Sequence, residues 1–440
     1  MSNKVIKFID LFSGMGGIRL GFEQAAKELG FRTQCILTSE IKDSALKVLK
    51  RNFSHNNLVG NITKVNANHM EDFDFLLAGF PCQSFSSAGK GLGFLDTRGT
   101  LFFEIEKILK SKKPYGFLLE NVENLVVHDK VNKNDKIGRT FSVILQKLKS
   151  LGYFVNWKVL DSQDFGVAQS RKRIYILGTL NKYVDMDNFE IKSKKLKDIL
   201  TKGLKCVDSH FTRCLLSNFK ASELNGKAIK DKRGGKNNIH SWTIGLKGNL
   251  SDEQVILIEK LFRQRRKKHW AKELNIDWMD GMPLNIEQIS TFHDSNKLKH
   301  MLDDMVNKNY LVHEHPKKKI YVQINNSNVA QWIYDESKPK GYNIVSGKLS
   351  YEFTKILDSN SVAPTLVATD VIKLGVVDND GIRHLTIDEC LKLFGYPEWY
   401  KLDMFEDNIS GLKKSFDLLG NTVVVPVIYE LSKRLLKCLE

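Results

Sequence analysis

The stretch that decides the fold is V-I-K-F-I-D-L-F-S-G-M-G-G, residues 5–17. Its apolar first half predicts a short buried strand. The residues that follow have the period of a helix, with Ile18, Phe22 and Ala25 on one face. Glycines at such a strand-to-helix turn let backbone N–H groups and the helix N-terminus approach a ligand closely. The turn therefore favours a ligand site, and a tight turn without a ligand is the alternative.

The alternation of strand and helix continues beyond this turn. We predict further strands at 31–38, 73–78, 115–119, 153–160 and 173–178, and helices at 43–50, 101–110 and 139–151. Strands that alternate with helices are typical of an α/β domain with a largely parallel sheet. Such sheets bind ligands at the carboxyl ends of their strands, so polar residues at strand ends are the candidates for a site.

Composition excludes several classes of protein. At about 100–200 residues a domain, the 440 residues predict two to four domains. A hydrophobic content of 42% excludes an intrinsically disordered chain. No apolar run reaches about 18 residues, and residues 1–10 have no signal-peptide pattern, so neither a membrane span nor a membrane partner is expected.

The charge balance predicts a polyanionic partner. Lys and Arg number 67 against 51 Asp and Glu, a net charge of +16. Nucleic acid is the leading candidate, although charge alone does not separate it from an acidic membrane surface. The six cysteines form no C-x-x-C pair, which favours a reduced cytosolic protein over a disulfide scaffold or a structural zinc site. We expect no bound metal.

Further candidate site residues follow three predicted strands or stand at the start of a later one. Glu40 ends the second strand, where a carboxylate would accept hydrogen bonds from ribose hydroxyls of a nucleoside cofactor. Because Arg19 breaks the pattern G-x-G-x-x-G, a nicotinamide dinucleotide is disfavoured. Cys82 lies in a polar loop after a strand, either as a nucleophilic thiolate or as an inert cysteine. Glu120 ends the next strand, where desolvation could keep its carboxyl protonated.

Two arginines complete the set. Arg171 and Arg173 stand at the start of a later strand, suited to a carbonyl or phosphate group or else to a salt bridge. Together the residues fit alkylation of a weak carbon nucleophile. C5 of cytosine becomes such a nucleophile when a thiolate adds to C6 and an acid protonates N3. C5 then attacks the methyl group of a sulfonium, a base removes the C5 proton, and the thiolate leaves.

Five segments, in this order, resemble the motif series of the DNA (cytosine-5) methyltransferases. They are D-L-F-S-G-M-G-G (10–17), G-F-P-C-Q-S-F-S (79–86), E-N-V (120–122), Q-S-R-K-R (169–173) and G-N-T-V-V-V-P (420–426). The resemblance covers about residues 5–180 and 360–430. It implies a Rossmann-like α/β domain dependent on S-adenosyl-L-methionine, with a smaller inserted target-recognition domain.

The resemblance also implies roles for single residues. By this resemblance, Cys82 is the nucleophile, and Glu120 binds N3 and the exocyclic amine of the cytosine. Arg173 holds O2 of the cytosine, and Arg171 is also expected to be catalytic. S-adenosyl-L-methionine is expected to contact Phe12, Gly14, Gly17, Glu40, Asn61, Ile62, Pro81, Leu101, Asn421 and Thr422. The loop 83–98 resembles the segment that closes over DNA around a flipped-out cytosine, with expected DNA contacts at Gln83, Ser86, Ser87 and Arg98.

Two positions depart from the family pattern. Asn61 stands where an acidic residue usually meets the adenine amino group, and we expect its side-chain carbonyl to accept that hydrogen bond. Ile41 stands where an aromatic ring often stacks on the adenine. Both changes bear on cofactor binding and neither bears on methyl transfer.

The family organisation predicts the domain boundaries. The catalytic domain covers 1–182, the target-recognition domain 183–355, and the segment 356–440 returns to the catalytic domain. Within the insert, a capping box at Ser251 predicts a helix to about Lys272 that carries R-Q-R-R-K-K. Helical patterns at 286–292 and 296–307 and a strand pair, 310–313 with 319–324, favour a winged-helix-like part at 250–325.

Two features of the insert have plain alternatives. The basic run 263–268 suits DNA phosphates, and a solvated helix face is equally compatible with it. His313 and His315 lie within the expected hairpin, where a turn is a better interpretation than a metal site.

We therefore expect a bacterial, cytoplasmic and nucleoid-associated DNA methyltransferase of a restriction-modification system. It would act as a monomer on double-stranded DNA, with a cognate endonuclease that shares the site without a stable complex. A tRNA cytosine-5 methyltransferase, a non-catalytic DNA-binding relative and a nicotinamide dehydrogenase are the alternatives, in descending order.

Overall fold

The computed structural model describes residues 5–81, 101–132, 134–324, 327–345, 351–405 and 409–439. Its helices are α1 (Gly17–Glu28), α2 (Asp43–Asn52), α3 (Leu101–Lys112), α4 (Arg139–Ser150), α5 (His210–Asn218), α6 (Asp252–Gln264), α7 (His269–Glu273), α8 (Ile286–Ser290), α9 (Leu298–Asn307), α10 (Ile387–Leu393), α11 (Ile409–Gly420) and α12 (Val425–Leu436). Among the residues just given, no helix is long and apolar enough to cross a membrane.

The strands are numbered in the same way. They are β1 (Val5–Leu11), β2 (Arg32–Ser39), β3 (Leu58–Val59), β4 (Phe75–Gly79), β5 (Gly116–Val122), β6 (Phe154–Asp161), β7 (Lys172–Thr179), β8 (Ala228–Ile229), β9 (Asn238–Ile239), β10 (Leu311–Glu314), β11 (Lys317–Ile324), β12 (Ser327–Tyr334), β13 (Gly341–Ile344), β14 (Lys355–Ile356), β15 (Leu374–Asp378) and β16 (Gly381–His384).

The contacts divide the chain into two units. The first unit comprises Met1–Thr201, Asp358–Ile372 and Leu385–Glu440, and the second comprises Lys202–Leu357 and Lys373–His384. Each unit is therefore built from segments that are separated along the chain.

A seven-stranded sheet in the order β3-β2-β1-β4-β5-β7-β6 organises the first unit. The first five strands in this order, β3, β2, β1, β4 and β5, are parallel to one another. Strand β7 is antiparallel to both β5 and β6. This is the α/β architecture expected from the sequence. The reversal of β7 follows from the short connection after β6, which is too brief for a crossover helix.

The apolar segments pack on this sheet as their period predicts. Phe8 and Phe75 on neighbouring strands are fully buried, and the ring centroid of Phe22 in α1 lies 5.0 and 5.5 Å from theirs. The C-terminal helix α12 lies against α1 at Gly21, where an added Cβ would come within 2.9 Å of Val425 O. Only a glycine permits this close approach of the two helices.

The second unit contains a five-stranded sheet, β16-β15-β14-β8-β9, and a helical part. The helical part has its own core, in which α6 and α9 contribute Leu257, Leu261 and Leu302, all fully buried. The capping box that opens α6 is present, since Ser251 Oγ accepts from Gln254 N.

Two expectations for this unit are wrong. The helix predicted to Lys272 ends at Gln264, because Arg265 is buried and its carbonyl accepts from Met282 N at 2.8 Å. The strands expected to pair around 315–318 do not pair with each other. Instead β10 pairs with β13, and β11 pairs with β12. No turn forms at Pro316, because its carbonyl accepts from Asp335 N and the chain continues into β11.

Candidate active site

A cavity of about 580 Å³ lies at the carboxyl edge of the sheet in the first unit. Its volume is within the usual range for small-molecule sites. The ends of β1, β2, β4 and β5 meet there, as parallel strands require. The cavity is lined by most of the predicted cofactor and catalytic residues, namely Phe12, Gly14, Glu40, Asn61, Ile62, Pro81, Leu101, Glu120, Arg171, Arg173 and Asn421.

The turn after β1 has the open backbone that the glycines predict. Phe12 and Gly14 have φ values of 55° and 54°, in the left-handed region. An added Cβ on Gly14 would meet no atom within 4 Å. The glycine thus leaves room for a ligand above the turn.

Glu40 is held by backbone groups on both sides. Gly14 N donates to its Oε2 at 2.8 Å, and the N–H groups of Ile41 and Lys42 donate to its Oε1, each at 2.8 Å. Oε1 thus already accepts two hydrogen bonds, whereas Oε2 accepts one, so Glu40 remains able to accept from one hydroxyl through Oε2. Ile41 lies beside it with 73% of its surface exposed.

The side-chain carbonyl of Asn61 is engaged by a neighbouring threonine. Its Oδ1 accepts from both Thr63 N at 3.0 Å and Thr63 Oγ1 at 2.9 Å, and so caps the short helix Ile62–Lys64. These two hydrogen bonds engage the carbonyl, and its expected acceptance from an adenine amino group stays a prediction. Asn61 keeps its side-chain NH₂ group as a donor.

Gly17 and Thr422 lie outside the cavity lining. An added Cβ on Gly17 would come within 2.7 Å of Tyr396 Oη and 2.8 Å of Val423 Cγ2. Thr422 is buried and its Oγ1 is 2.6 Å from the same hydroxyl. These two residues join the start of α1 to the C-terminal segment, and their expected role as cofactor contacts stays a prediction.

Asn421 lies at the cavity with two neighbours that sequence reasoning missed. Its Nδ2 donates to the backbone carbonyl of Asp417 at 2.7 Å, and Lys42 forms an ion pair with the Asp417 carboxylate. Lys42 lies two residues after Glu40, so its position just beyond a strand end was the available signal.

Glu120 and Arg173 form the polar centre of the site. Arg173 Nε is 3.2 Å from Glu120 Oε1, and the two side chains are 15% and 12% exposed. Burial raises the pKa of the Glu120 carboxyl, and the positive charges of Arg173 and Arg171 oppose that shift. Gly79 lies close, since an added Cβ would be 3.5 Å from Glu120 Oε2. Desolvation therefore favours a protonated Glu120, as the sequence predicts.

Arg171 borders the cavity but binds backbone. Its Nη2 donates to the carbonyls of Gly420 and Thr422 at 3.0 and 2.9 Å, and its Nη1 donates to Leu366 O at 3.2 Å. Its own N–H donates to Asp161 at 3.0 Å. This geometry gives Arg171 a structural part in tying β7 to the C-terminal segment, and its predicted catalytic role stays a prediction.

Asn121 is a site residue that the sequence did not single out. Its side chain is buried, and Nδ2 donates to Phe80 O at 3.1 Å while Oδ1 accepts from Val122 N at 2.9 Å. It therefore holds the segment before Cys82 against the end of β5. Its place inside E-N-V, next to Glu120, was the available signal.

Five predicted residues lie outside the described residues: Cys82, Gln83, Ser86, Ser87 and Arg98. Within the described ranges, no group of three or more His, Cys, Asp or Glu side chains is arranged to hold a metal ion.

Comparison with known proteins adds the family. The model of the C-5 cytosine-specific DNA methylases matches residues 6–437. The chain is 56% identical to the type II methyltransferase M.NlaIV of Neisseria lactamica over 434 residues, which cover 99% of both chains. It is 38% identical to M.BanI of Aneurinibacillus aneurinilyticus, over 96% of this chain and 94% of the relative.

Solved structures agree on the fold. The Entamoeba histolytica methyltransferase EhMeth has a TM-score of 0.53 at 17% identity over 99% of each chain. The Dnmt2 methyltransferase of S. pombe has a TM-score of 0.52 at 15% identity, over 99% of this chain and all of that one. Because the family model spans nearly the whole chain and a full-length relative is more than half identical, this chain belongs to the C-5 cytosine-specific DNA methylases.

Proposed function

We propose that this chain methylates C5 of cytosine within a specific sequence of double-stranded DNA, as the modification enzyme of a type II restriction-modification system. The family and the relatives named as type II methyltransferases support this activity. The observation that carries the mechanism is the buried Glu120–Arg173 pair in the same cavity as Gly14 and Glu40. One cavity thus offers both a nucleoside site and an acid.

The donor residues of the cavity fit S-adenosyl-L-methionine, which supplies a sulfonium methyl group when bound. Gly14 provides the open space into which a Cβ would project, and Oε2 of the fixed Glu40 carboxylate can accept from a ribose hydroxyl. Ile41 offers an exposed apolar side chain at the rim for a flat base. Asn61 would meet such a base with its NH₂ group, which suits a ring nitrogen better than an amino group.

The chain's own residues prepare the cytosine. A protonated Glu120 would donate to N3 and so draw electrons from the ring, while Arg173 fixes its carboxyl and can donate to O2. Cys82, predicted as the nucleophile, would then add its thiolate to C6. Asn121 holds Phe80 and so orients the segment that leads to Cys82. The base must leave the duplex, because its faces are covered by stacking.

Several finer expectations remain proposals. These are the cytoplasmic and nucleoid location, action as a monomer, a cognate endonuclease without a stable complex, and the recognition role of the second unit.

Replacement of the acid tests this assignment. We expect Glu120→Gln to lower the rate of methyl transfer by about 10²–10⁴-fold, the usual contribution of a positioned general acid. Because the pKa of Glu120 is raised, wild-type activity should fall as pH increases and the carboxyl ionises, and the variant should lose this descending limb. Methylation of unmethylated genomic DNA, mapped at base resolution, measures the activity and the target sequence together.

Glu123→Gln is the matched control, since Glu123 is exposed and follows β5 within the same segment. It should keep wild-type activity. A Glu120→Gln enzyme that methylates at the wild-type rate would refute the role of the acid. A wild-type enzyme that methylates tRNA and no DNA would refute the proposed substrate.

A further inference from the structure

A long antiparallel ribbon extends from the helical part of the second unit. Its two strands, β11 and β12, have eight residues each and pair from Lys317↔Tyr334 to Ile324↔Ser327. At about 3.3 Å a residue the ribbon is about 26 Å long. Along 317–323 and 330–334, every side chain is exposed or half-buried. The ribbon therefore offers its surface to a partner.

Alternation along the strands gives the ribbon two different faces. Lys317, Lys319 and Tyr321 share one face with their cross-strand neighbours Trp332 and Tyr334. Two cation–π contacts confirm this grouping, with Lys317 Nζ 4.9 Å from the Tyr334 ring and Lys319 Nζ 5.2 Å from the Tyr321 ring. We call these five residues the lysine–aromatic face.

The opposite face is less suited to an anionic partner. Lys318 points there, and its Nζ is neutralised by Asp335 at 3.2 Å. Its cross-strand neighbour is Ile333, which is 36% exposed. On the lysine–aromatic face, Tyr321, Trp332 and Tyr334 are 65%, 42% and 49% exposed. Large aromatic side chains beside lysines at this exposure are unusual for a surface without a partner.

The charge of the ribbon identifies the kind of partner. Residues 315–334 contain three lysines and no Asp or Glu. A second copy of such a ribbon would repel the first, and lysines along exposed edges oppose pairing between copies. A polyanion with flat bases instead complements both the ammonium groups and the rings. A two-stranded ribbon also fits the width of the DNA major groove.

The base of the ribbon is fixed to the helical core. Asn343 Nδ2 donates to Glu314 Oε1 at 2.9 Å, and its Oδ1 accepts from Arg265 Nη1 at 2.8 Å. Glu314 also accepts from Tyr334 Oη at 2.8 Å. Arg265 belongs to the basic run 263–268, so one member of that run anchors the ribbon and is not exposed to solvent. This rigid attachment reduces the conformational entropy that is lost when the ribbon binds a partner.

We propose that this ribbon enters a groove of the target duplex with its lysine–aromatic face toward the DNA. Lys317 and Lys319 would contact phosphates, and Tyr321, Trp332 and Tyr334 would pack against sugars and base edges. This inference rests on the proposed function, since it takes duplex DNA as the substrate, and it assigns part of the binding to named residues of the second unit.

Two double variants of the full chain test the proposal. Lys319→Gln/Trp332→Ala removes a cross-strand pair from the lysine–aromatic face, and Lys318→Gln/Ile333→Ala removes the adjacent pair from the opposite face. Each variant loses one positive charge and one large exposed side chain. The probe is a short duplex that carries the sequence methylated by the wild-type enzyme, and the measurement is its Kd at several salt concentrations.

We expect the first variant to bind about tenfold more weakly or worse, and the slope of log K against log salt to fall by about one. The second should bind within about twofold of wild type. Thermal unfolding should be alike in all three, because these side chains lie outside the core. Equal affinities of the two variants would overturn the proposal, as would a change in sedimentation from dimer to monomer without a change in Kd.

If the wild-type enzyme methylates the duplex and both variants bind it alike, the ribbon assignment is wrong and the proposed function stands. If the wild-type enzyme neither methylates nor binds duplex DNA, the proposed function fails and the ribbon proposal fails with it.

Discussion

Asp10 is a charged residue type placed where water cannot reach it. Its side chain is fully buried in β1, and within the described residues neither carboxyl oxygen has a hydrogen-bond partner. The Ser13 hydroxyl donates to the Asp10 main-chain carbonyl. Burial raises the pKa of Asp10 to about 7, and the nearby charge of Arg19 only partly opposes this shift. The carboxyl is therefore protonated in the folded protein over a range in which it is ionised in the unfolded chain.

The raised pKa of Asp10 predicts a pH dependence of stability. Between about pH 4 and pH 7 the folded state binds a proton that the unfolded state releases, so the free energy of unfolding falls as pH rises. The decrease is at most about 1.4 kcal/mol per pH unit. Asp10→Asn removes this pH dependence. The free energy of unfolding of the variant should therefore increase relative to that of the wild type between pH 5 and pH 7. Urea unfolding at several pH values measures this free energy for both proteins. A constant difference between variant and wild type across this pH range would contradict the prediction.

Arg171 gives a second prediction at this scale. Its guanidinium donates to three backbone carbonyls, and a lysine ammonium cannot reproduce that planar arrangement. We expect Arg171→Lys to lower the free energy of unfolding by about 1–3 kcal/mol, since buried carbonyls lose their donors. Arg139→Lys, at a side chain 71% exposed, is the control and should unfold like wild type. Lost activity with unchanged thermal unfolding would instead indicate that Arg171 acts on the substrate.

The elements show which features local sequence determines. The strand-turn-helix of 5–28 forms as predicted, because its period and glycines act between near neighbours. The end of α6 was not predictable in the same way, since it depends on the hydrogen bond that Met282 N donates to the carbonyl of Arg265. The pairing of β10 with β13 likewise joins residues about thirty positions apart. At the site, strand-end positions identified Glu40 and Glu120, whereas the backbone partners of Arg171 lie 195 to 251 positions away along the chain.

At the scale of the whole molecule, the second unit is interrupted in sequence. Its sheet takes β15 and β16 from Lys373–His384, and β15 pairs with β14 at Lys355↔Leu374. Gly375 packs tightly there, since an added Cβ would be 2.8 Å from both Ile356 Cδ1 and Phe353 Cδ1. An exchange of this unit must therefore include both of its segments.

A chimera tests this division. Replacement of 202–357 together with 373–384 by the matching segments of a family member that methylates another sequence should change the target and keep the chemistry. Replacement of 202–357 alone should leave mismatched strands and lower Tm by at least about 3 °C more. Calorimetry and base-resolution mapping of the methylated sites measure both outcomes. An unchanged target in the first chimera would refute a recognition role for the second unit.

The close packing of α12 on α1 at Gly21 has a consequence for synthesis on the ribosome. Translation delivers α1 early, then every segment of the second unit, and Val425–Leu436 only afterwards. The surface of α1 that receives α12 therefore stays uncovered while the second unit already has all of its residues. Domains usually fold as units in the order of their synthesis. Here we expect the unit encoded in the middle to finish folding first, and the unit that begins the chain to be completed last.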